Sequence, residues 1–222
     1  MTRPVPMTAG RVVVLLVGVP FALVAIGWMG LTEVAYAGHG SYQVRLNASV
    51  PGRTVTIRAD AGNLTVSQAT GGRYRLIGTA RYSLVRSTVT WHPTPSGVIV
   101  LSRCRFVLRQ CSFSYQIAQP AGSRTVLSAA SGDITFRALT STDVAASDDQ
   151  GDITLTFTTV PDRVSVSDQL GNVTLVLPPG ATTYRVQTQT LLGDRSIGVP
   201  TSPSSTHVIT VTDSSGDISI RN

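Results

Sequence analysis

A five-residue phrase recurs along the chain and limits what it can fold into. It reads Gly62-Asn63-Leu64-Thr65-Val66, then Gly132-Asp133-Ile134-Thr135-Phe136 and Gly151-Asp152-Ile153-Thr154-Leu155. It returns as Gly171-Asn172-Val173-Thr174-Leu175 and Gly216-Asp217-Ile218-Ser219-Ile220, with a degenerate copy at Gly193-Asp194-Arg195-Ser196-Ile197. From Gly132 onward the glycines advance by 19 to 23 residues. Periods of this length mark architectures built by stacking one unit on the next.

Each copy carries an apolar pattern on both sides of its glycine. Seven and five residues before it stand Val55/Ile57, Thr125/Leu127, Val144/Ala146, Val164/Val166, Val186/Thr188 and Ile209/Val211. Two and four residues after it stand Leu64/Val66, Ile134/Phe136, Ile153/Leu155, Val173/Leu175, Arg195/Ile197 and Ile218/Ile220. A spacing of two is the strand period, with one face buried and one wet. Each repeat therefore reads as strand, turn, strand. Glycine supplies positive φ in the turn, and the following Asp or Asn bonds nearby backbone. One repeat cannot bury its apolar face, but repeats stacked about 4.8 Å apart can. The expected fold is all-β, a β-solenoid of two-strand repeats of about 20 residues with Gly-Asp turns. A run of ordinary hairpins in a β-sandwich stays open as the rival reading. Arg195 occupies an inward position and breaks the pattern of its layer.

The N-terminus differs. Residues 1–11 are rich in proline and carry Arg3 and Arg11, and Val12 to Leu31 is uncharged and mostly apolar. Twenty helical residues span about 30 Å, the thickness of a bilayer core. The expected organisation is a cytoplasmic N-terminus over 1–11, one transmembrane helix over 12–33 and a juxtamembrane linker or strand over 34–50. An extracytoplasmic β-repeat domain follows over 51–222. The flanking arginines keep the N-terminus inside and export the remainder. The Ala35-Tyr36-Ala37 pattern offers an alternative, secretion after cleavage following Ala37. The stretch 71–120 fits the repeat poorly and reads as a larger insertion, with strands expected at Tyr74–Ile77, Thr88–Trp91, Val98–Leu101 and Ser112–Ile117. It holds the two cysteines of the chain, Cys104 and Cys111. An even count in an exported chain favours a disulfide between them over a metal or redox site.

The ordered set of an N-terminal anchor, an early Gly-Asn-Leu-Thr-Val, a cysteine-containing insertion and the Tyr115–Gly122 stretch leads into Ser131-Gly132-Asp133-Ile134. With the repeated turns that follow, it resembles the bacterial "putative adhesin" family of β-strand-repeat domains of unknown function. The likeness covers roughly residues 42 to 222. It implies a membrane-tethered or cell-surface β-solenoid linked to envelope processes. All eighteen basic residues are arginine, which points to a GC-rich genome and, with this resemblance, to an actinobacterial source.

Motifs for catalysis are missing from the sequence. There is no Gly-x-Ser-x-Gly elbow, His-Glu-x-x-His or P-loop. His39, His92 and His207 are isolated, and Glu33 is the last glutamate. The leading function is a non-catalytic, membrane-anchored envelope domain that binds an envelope polymer, a lipid head group or a protein. The alternative is a β-helix enzyme acting on polysaccharide. Aspartates flank the turns: Asp148, Asp168 and Asp213 stand three residues before a glycine, and Asp133, Asp152, Asp194 and Asp217 stand one after it. Stacked in register, they would repel unless backbone N–H groups or a bridging Ca²⁺ offset the charge; no other cofactor is expected.

Charge is divided along the chain. Residues 34–124 hold eleven arginines and one aspartate, a balance of +10, whereas residues 125–222 hold five arginines and ten aspartates, a balance of −5. A sequential solenoid would keep this split as a basic membrane-near half and an acidic far half. Arg103, Arg105 and Arg109 form the expected patch for anionic lipid or acidic envelope polymer. Nucleic acid is set aside because an exported domain would rarely meet it.

Overall fold

The structure, a computed structural model, describes residues 39–48, 53–69, 73–83, 86–104 and 111–222. The expected anchor at 12–33 lies outside the described residues, as do Arg105 and Arg109. No helix among the described residues is long and apolar enough to cross a membrane.

Numbered in chain order, seven coils each consist of two strands and a connection. They are β2 (Thr54–Ala59) with β3 (Gly62–Gln68), β6 (Gly97–Arg103) with β7 (Ser112–Gln119), β8 (Arg124–Ala129) with β9 (Ile134–Leu139), and β10 (Asp143–Asp148) with β11 (Ile153–Phe157). Then come β12 (Arg163–Leu170) with β13 (Val173–Val176), β14 (Arg185–Leu192) with β15 (Arg195–Gly198), and β16 (Val208–Ser215) with β17 (Ile218–Arg221). Three further strands, β1 (His39–Ala48), β4 (Tyr74–Ser83) and β5 (Thr88–Thr94), extend one end. Every coil places one strand in each of two sheets. The nine-stranded sheet runs β1-β4-β7-β3-β9-β11-β13-β17-β15, and the eight-stranded sheet runs β5-β6-β2-β8-β10-β12-β16-β14.

The coils stack in parallel and in register, so equivalent repeat positions meet. Val55, Thr125, Val144, Val164, Ile209 and Val186 form one row. Leu64, Ile134, Ile153, Val173 and Ile218 form its counterpart in the other sheet. These rows face each other, and Leu64, Ile134, Ile153, Val144 and Val164 are fully buried. Burying each such side chain contributes about 1.5–3 kcal/mol before chain entropy is subtracted. β-Branched residues suit these strands because their restricted χ1 fits a pleated, packed surface.

The structure departs from sequence-based expectation in three places. The stretch read as an insertion contains a coil of its own, β6/β7, in register with the first repeat through Ile57↔Val100 and Leu64↔Tyr115. Its connection carries the two cysteines instead of a Gly-Asp turn, so the phrase that marks the other coils is missing. Second, stacking is not sequential. β2/β3 lies between β6/β7 and β8/β9, and the C-terminal β16/β17 lies between β12/β13 and β14/β15. Third, the layer broken by Arg195 is the last of the stack. Arg195 pairs with Ile218 at an inward register position, but no further coil among the described residues covers it, and its Nη1 donates to Thr188 O at 3.2 Å. A charge at that position is tolerated because it lies at an open end.

Candidate functional site

The turn edge gathers most of the acidic residues, in two ladders. The outer ladder is made by the residue after each turn glycine. Asn63 Oδ1 accepts from Asp133 N at 3.1 Å, Asp133 Oδ1 from Asp152 N at 3.1 Å, and Asp152 Oδ1 from Asn172 N at 2.8 Å. Asn172 Oδ1 then accepts from Asp217 N at 3.1 Å, and Asp217 Oδ1 from Asp194 N at 2.9 Å. Each side chain thus ties its own layer to the next. Asn and Asp interchange because each offers the required acceptor, and the carboxylate charge is met by backbone N–H.

The inner ladder follows from strand parity. Asp148 continues the inward series Val144, Ala146 and pairs with Asp168, which pairs with Asp213. All three are buried. One oxygen of each is satisfied locally: Asp148 Oδ1 accepts from Gln150 N at 3.3 Å, Asp168 Oδ1 from Gln169 N at 2.8 Å and Asp213 Oδ1 from Ser215 N at 3.0 Å. The second oxygen, Oδ2, is sealed from solvent in each and has no hydrogen-bond partner. Burial, then the adjacent Asp168, pushes the Asp148 carboxyl from its ordinary 3.8 up to about 6. Burial, then Asp213, raises Asp168 likewise to about 6, and burial also raises Asp213.

A raised carboxyl pKa suits general acid catalysis only where substrate can reach the group. Here the reactive oxygen is closed off behind the turn glycine. A Cβ built on Gly151 would stand 2.7 Å from Asp148 Oδ2, and one on Gly171 would stand 3.0 Å from Asp168 Oδ2. Among the described residues no group of three or more His, Cys, Asp or Glu is placed to hold a metal ion. Of the aspartates that sequence reasoning offered to Ca²⁺, Asp133, Asp148, Asp152, Asp168, Asp213 and Asp217 accept from backbone N–H groups of their own or the next layer.

The cysteines form the Cys104–Cys111 disulfide, with Cα atoms 5.9 Å apart. Cys104 N donates to Asp60 Oδ2 at 2.9 Å, fastening this connection to the neighbouring turn. Beside it lies a hollow of about 470 Å³ lined by Asp60, Ala61, Cys104, Cys111, Ala130, Ser131 and Gln150. Of the expected arginine patch, Arg103 is exposed at the end of β6. Among the histidines, His207 Nδ1 lies 3.0 Å from Pro161 O and 3.7 Å from Asp162, a setting that fixes a connection. His92 is exposed on the edge strand β5.

The strands of residues 39–119 occupy one end of the stack, and those from Arg124 onward occupy the other. The division of charge therefore survives folding, although the coils are permuted. One end is basic and the other, dominated by turn aspartates, is acidic. Sequence reasoning found this split and the turn residues. It did not commit to the buried state of Asp148, Asp168 and Asp213, which their spacing of two from Ala146, Val166 and Val211 would have indicated.

Comparison with known proteins adds a family. Residues 37–221 match the family model described as Toastrack DUF4097. No curated protein matches the chain. Among solved structures, a "putative cell adhesion protein" from Clostridium sporogenes superposes with a TM-score of 0.54 at 12% identity, covering 82% of this chain and 99% of its own. A "putative adhesin" from Bacteroides fragilis matches with a TM-score of 0.40 at 12% identity, covering 81% of this chain and 97% of its own. The Clostridium sporogenes structure shares the fold.

Proposed function

The chain belongs to the toastrack DUF4097 family, and from that premise we propose that it is a non-catalytic cell-envelope domain, tethered by residues 12–33, that binds an anionic partner through its basic end. The observation that carries this reading is the separation of charge in the stack: among the described residues the end built from 39–119 holds eight arginines and one aspartate, and the end from Arg124 onward holds six arginines and ten aspartates. β1 begins at His39 on the basic edge of the nine-stranded sheet, so a chain leaving a membrane anchor would enter the stack at that end. Arginines near an anionic surface contribute up to about 1 kcal/mol each, and salt screens them. The sealing of the raised carboxylates behind glycine weighs against the polysaccharide-cleaving alternative.

Two measurements test the proposal. Protease added to intact cells is expected to digest the domain while the anchor stays with membranes. A fragment beginning at Gly38 in the medium, with none in membranes, would overturn the tether. Envelope fragments are expected to capture the full chain in a salt-sensitive manner, weakened by Arg103→Ser, Arg105→Ser and Arg109→Ser together. Capture indifferent to ionic strength would overturn the electrostatic part, and cleavage of envelope polysaccharide would overturn the non-catalytic part.

A further inference from the structure

The basic end presents a broad sheet face whose layout follows from strand parity. Leu46, Leu76, Ile117, Val66 and Phe136 are buried between the sheets. Their neighbours in β1, β4, β7, β3 and β9 therefore point outward. These five strands contain no aspartate or glutamate. The nearest acids in sequence, Asp60 and Asp133, lie in the turns beyond the strand ends.

Register fixes the layout of this face. One row runs Arg75, Ala118, Ser67, Arg137 across four adjacent strands. Three strand spacings put its terminal arginines about 14 Å apart. The next row runs Arg45, Ile77, Gln116, Thr65, Thr135. Arg81 stands farther along β4, between Ser41 and Ser112. Arg45, Arg75, Arg81 and Arg137 are all exposed. The ion pairs found among the described residues, Arg124–Asp143 and His207–Asp162, involve none of them. Arg45 Nη2 donates to Gln43 Oε1 at 2.9 Å, leaving most of its fork free.

Resting on the proposed anionic partner, the geometry points to this outer face of β1, β4, β7, β3 and β9 as the docking surface for a linear polysaccharide bearing carboxylates. A guanidinium offers paired donors that match a carboxylate in a bidentate arrangement. Hydroxyl and amide side chains between the arginines match the alternating donors and acceptors of sugar hydroxyls. A lipid surface is the poorer fit, because inserted apolar or aromatic side chains anchor interfacial proteins. The one large apolar side chain exposed on this face among the described residues is Ile77, and the exposed Trp91 belongs to the other sheet.

Immobilised alginate, a linear uronate polymer, tests the inference with the full chain held in non-ionic detergent. Retention is expected at about 50 mM salt and release by about 500 mM, where the screening length falls from over 10 Å to a few ångströms. Neutral dextran should retain none. The Arg45→Ser, Arg75→Ser, Arg81→Ser variant should lose affinity about tenfold or more. The matching lysine variant should keep part of the binding, and Arg163→Ser with Arg185→Ser, in the acidic half, should change nothing. Equal retention of wild type and the triple serine variant, equal retention on dextran, or binding only to micelles doped with phosphatidylglycerol would overturn the inference. Envelope capture that persists while alginate binding is absent would overturn this surface and leave the proposed function standing. Absence of both would remove both.

Discussion

Two kinds of residue in the turn have separable effects. Gly151 has φ of +150°, and a Cβ there would stand 2.5 Å from Gly132 O as well as close to Asp148. Gly151→Ala is expected to destabilise by on the order of 3 kcal/mol, through backbone strain and a clash that adjacent layers cannot relieve. Denaturant unfolding measures it, and a loss under 1 kcal/mol would mean that the layers separate more readily than their hydrogen bonds indicate. Asp148 and Asp168 give a pH signature. Their folded-state pKa of about 6 exceeds the ordinary 3.8, so between those values the folded protein holds protons that the unfolded chain has released. Stability from these groups is then fully present below pH 4 and is lost as pH rises through about 6. The melting temperature is expected to rise from pH 7 to pH 5. Asp168→Asn should flatten that rise and raise the melting temperature at pH 7. A melting temperature that falls steadily from pH 7 to 5 would contradict it.

At the scale of one element, the terminal coil β14/β15 forms an edge of both sheets among the described residues. Its inward positions are only partly covered, and Leu191, Leu192 and Ile197 are 72%, 70% and 43% exposed. An open edge of this kind invites strand pairing, and an inward-pointing charge is one of the devices that blunt it. Arg195 occupies that position over Thr188. Arg195→Ile is therefore expected to shift the protein toward dimers or larger species as concentration rises, measured by sedimentation. A sedimentation profile unchanged from wild type would assign protection of the edge to the connection after β15, where Thr201 bridges to Tyr184. At the opposite end, the disulfide closes the connection of the β6/β7 coil. Replacing both cysteines by serine should cost about 2–3 kcal/mol, the loop-closure entropy of a ring this small.

For the whole molecule, the permuted order of coils predicts how it fails. β14 pairs with β16, and β15 pairs with β17, so the penultimate coil in sequence is held by the last. In a sequential solenoid, removing the last coil would leave the remainder intact. Here a chain stopped after Gly198 should lose the order of β14 and β15 too, and limited proteolysis should trim it back to about the end of β13. A protected β14 in that truncation would disprove the permutation. A chelator is expected to leave the melting temperature unchanged, because the outer ladder is tied to backbone N–H groups and the free oxygens of the inner one are sealed from solvent.

Local pattern made the coil legible: a spacing of two identified the strands, and glycine followed by Asp or Asn identified the turn. The division of charge was also legible, because it needs only that each half of the chain stay at its own end. The order of the coils was not, since equivalent repeats present nearly the same apolar rows and any two can stack with similar energy. The coil β6/β7 stayed hidden because a disulfide-closed connection replaces the turn phrase that marks the rest. The inner aspartates read as turn residues until the stack enclosed them. Only the layers above and below could exclude water from their second oxygens, and that exclusion is a property of the assembled fold.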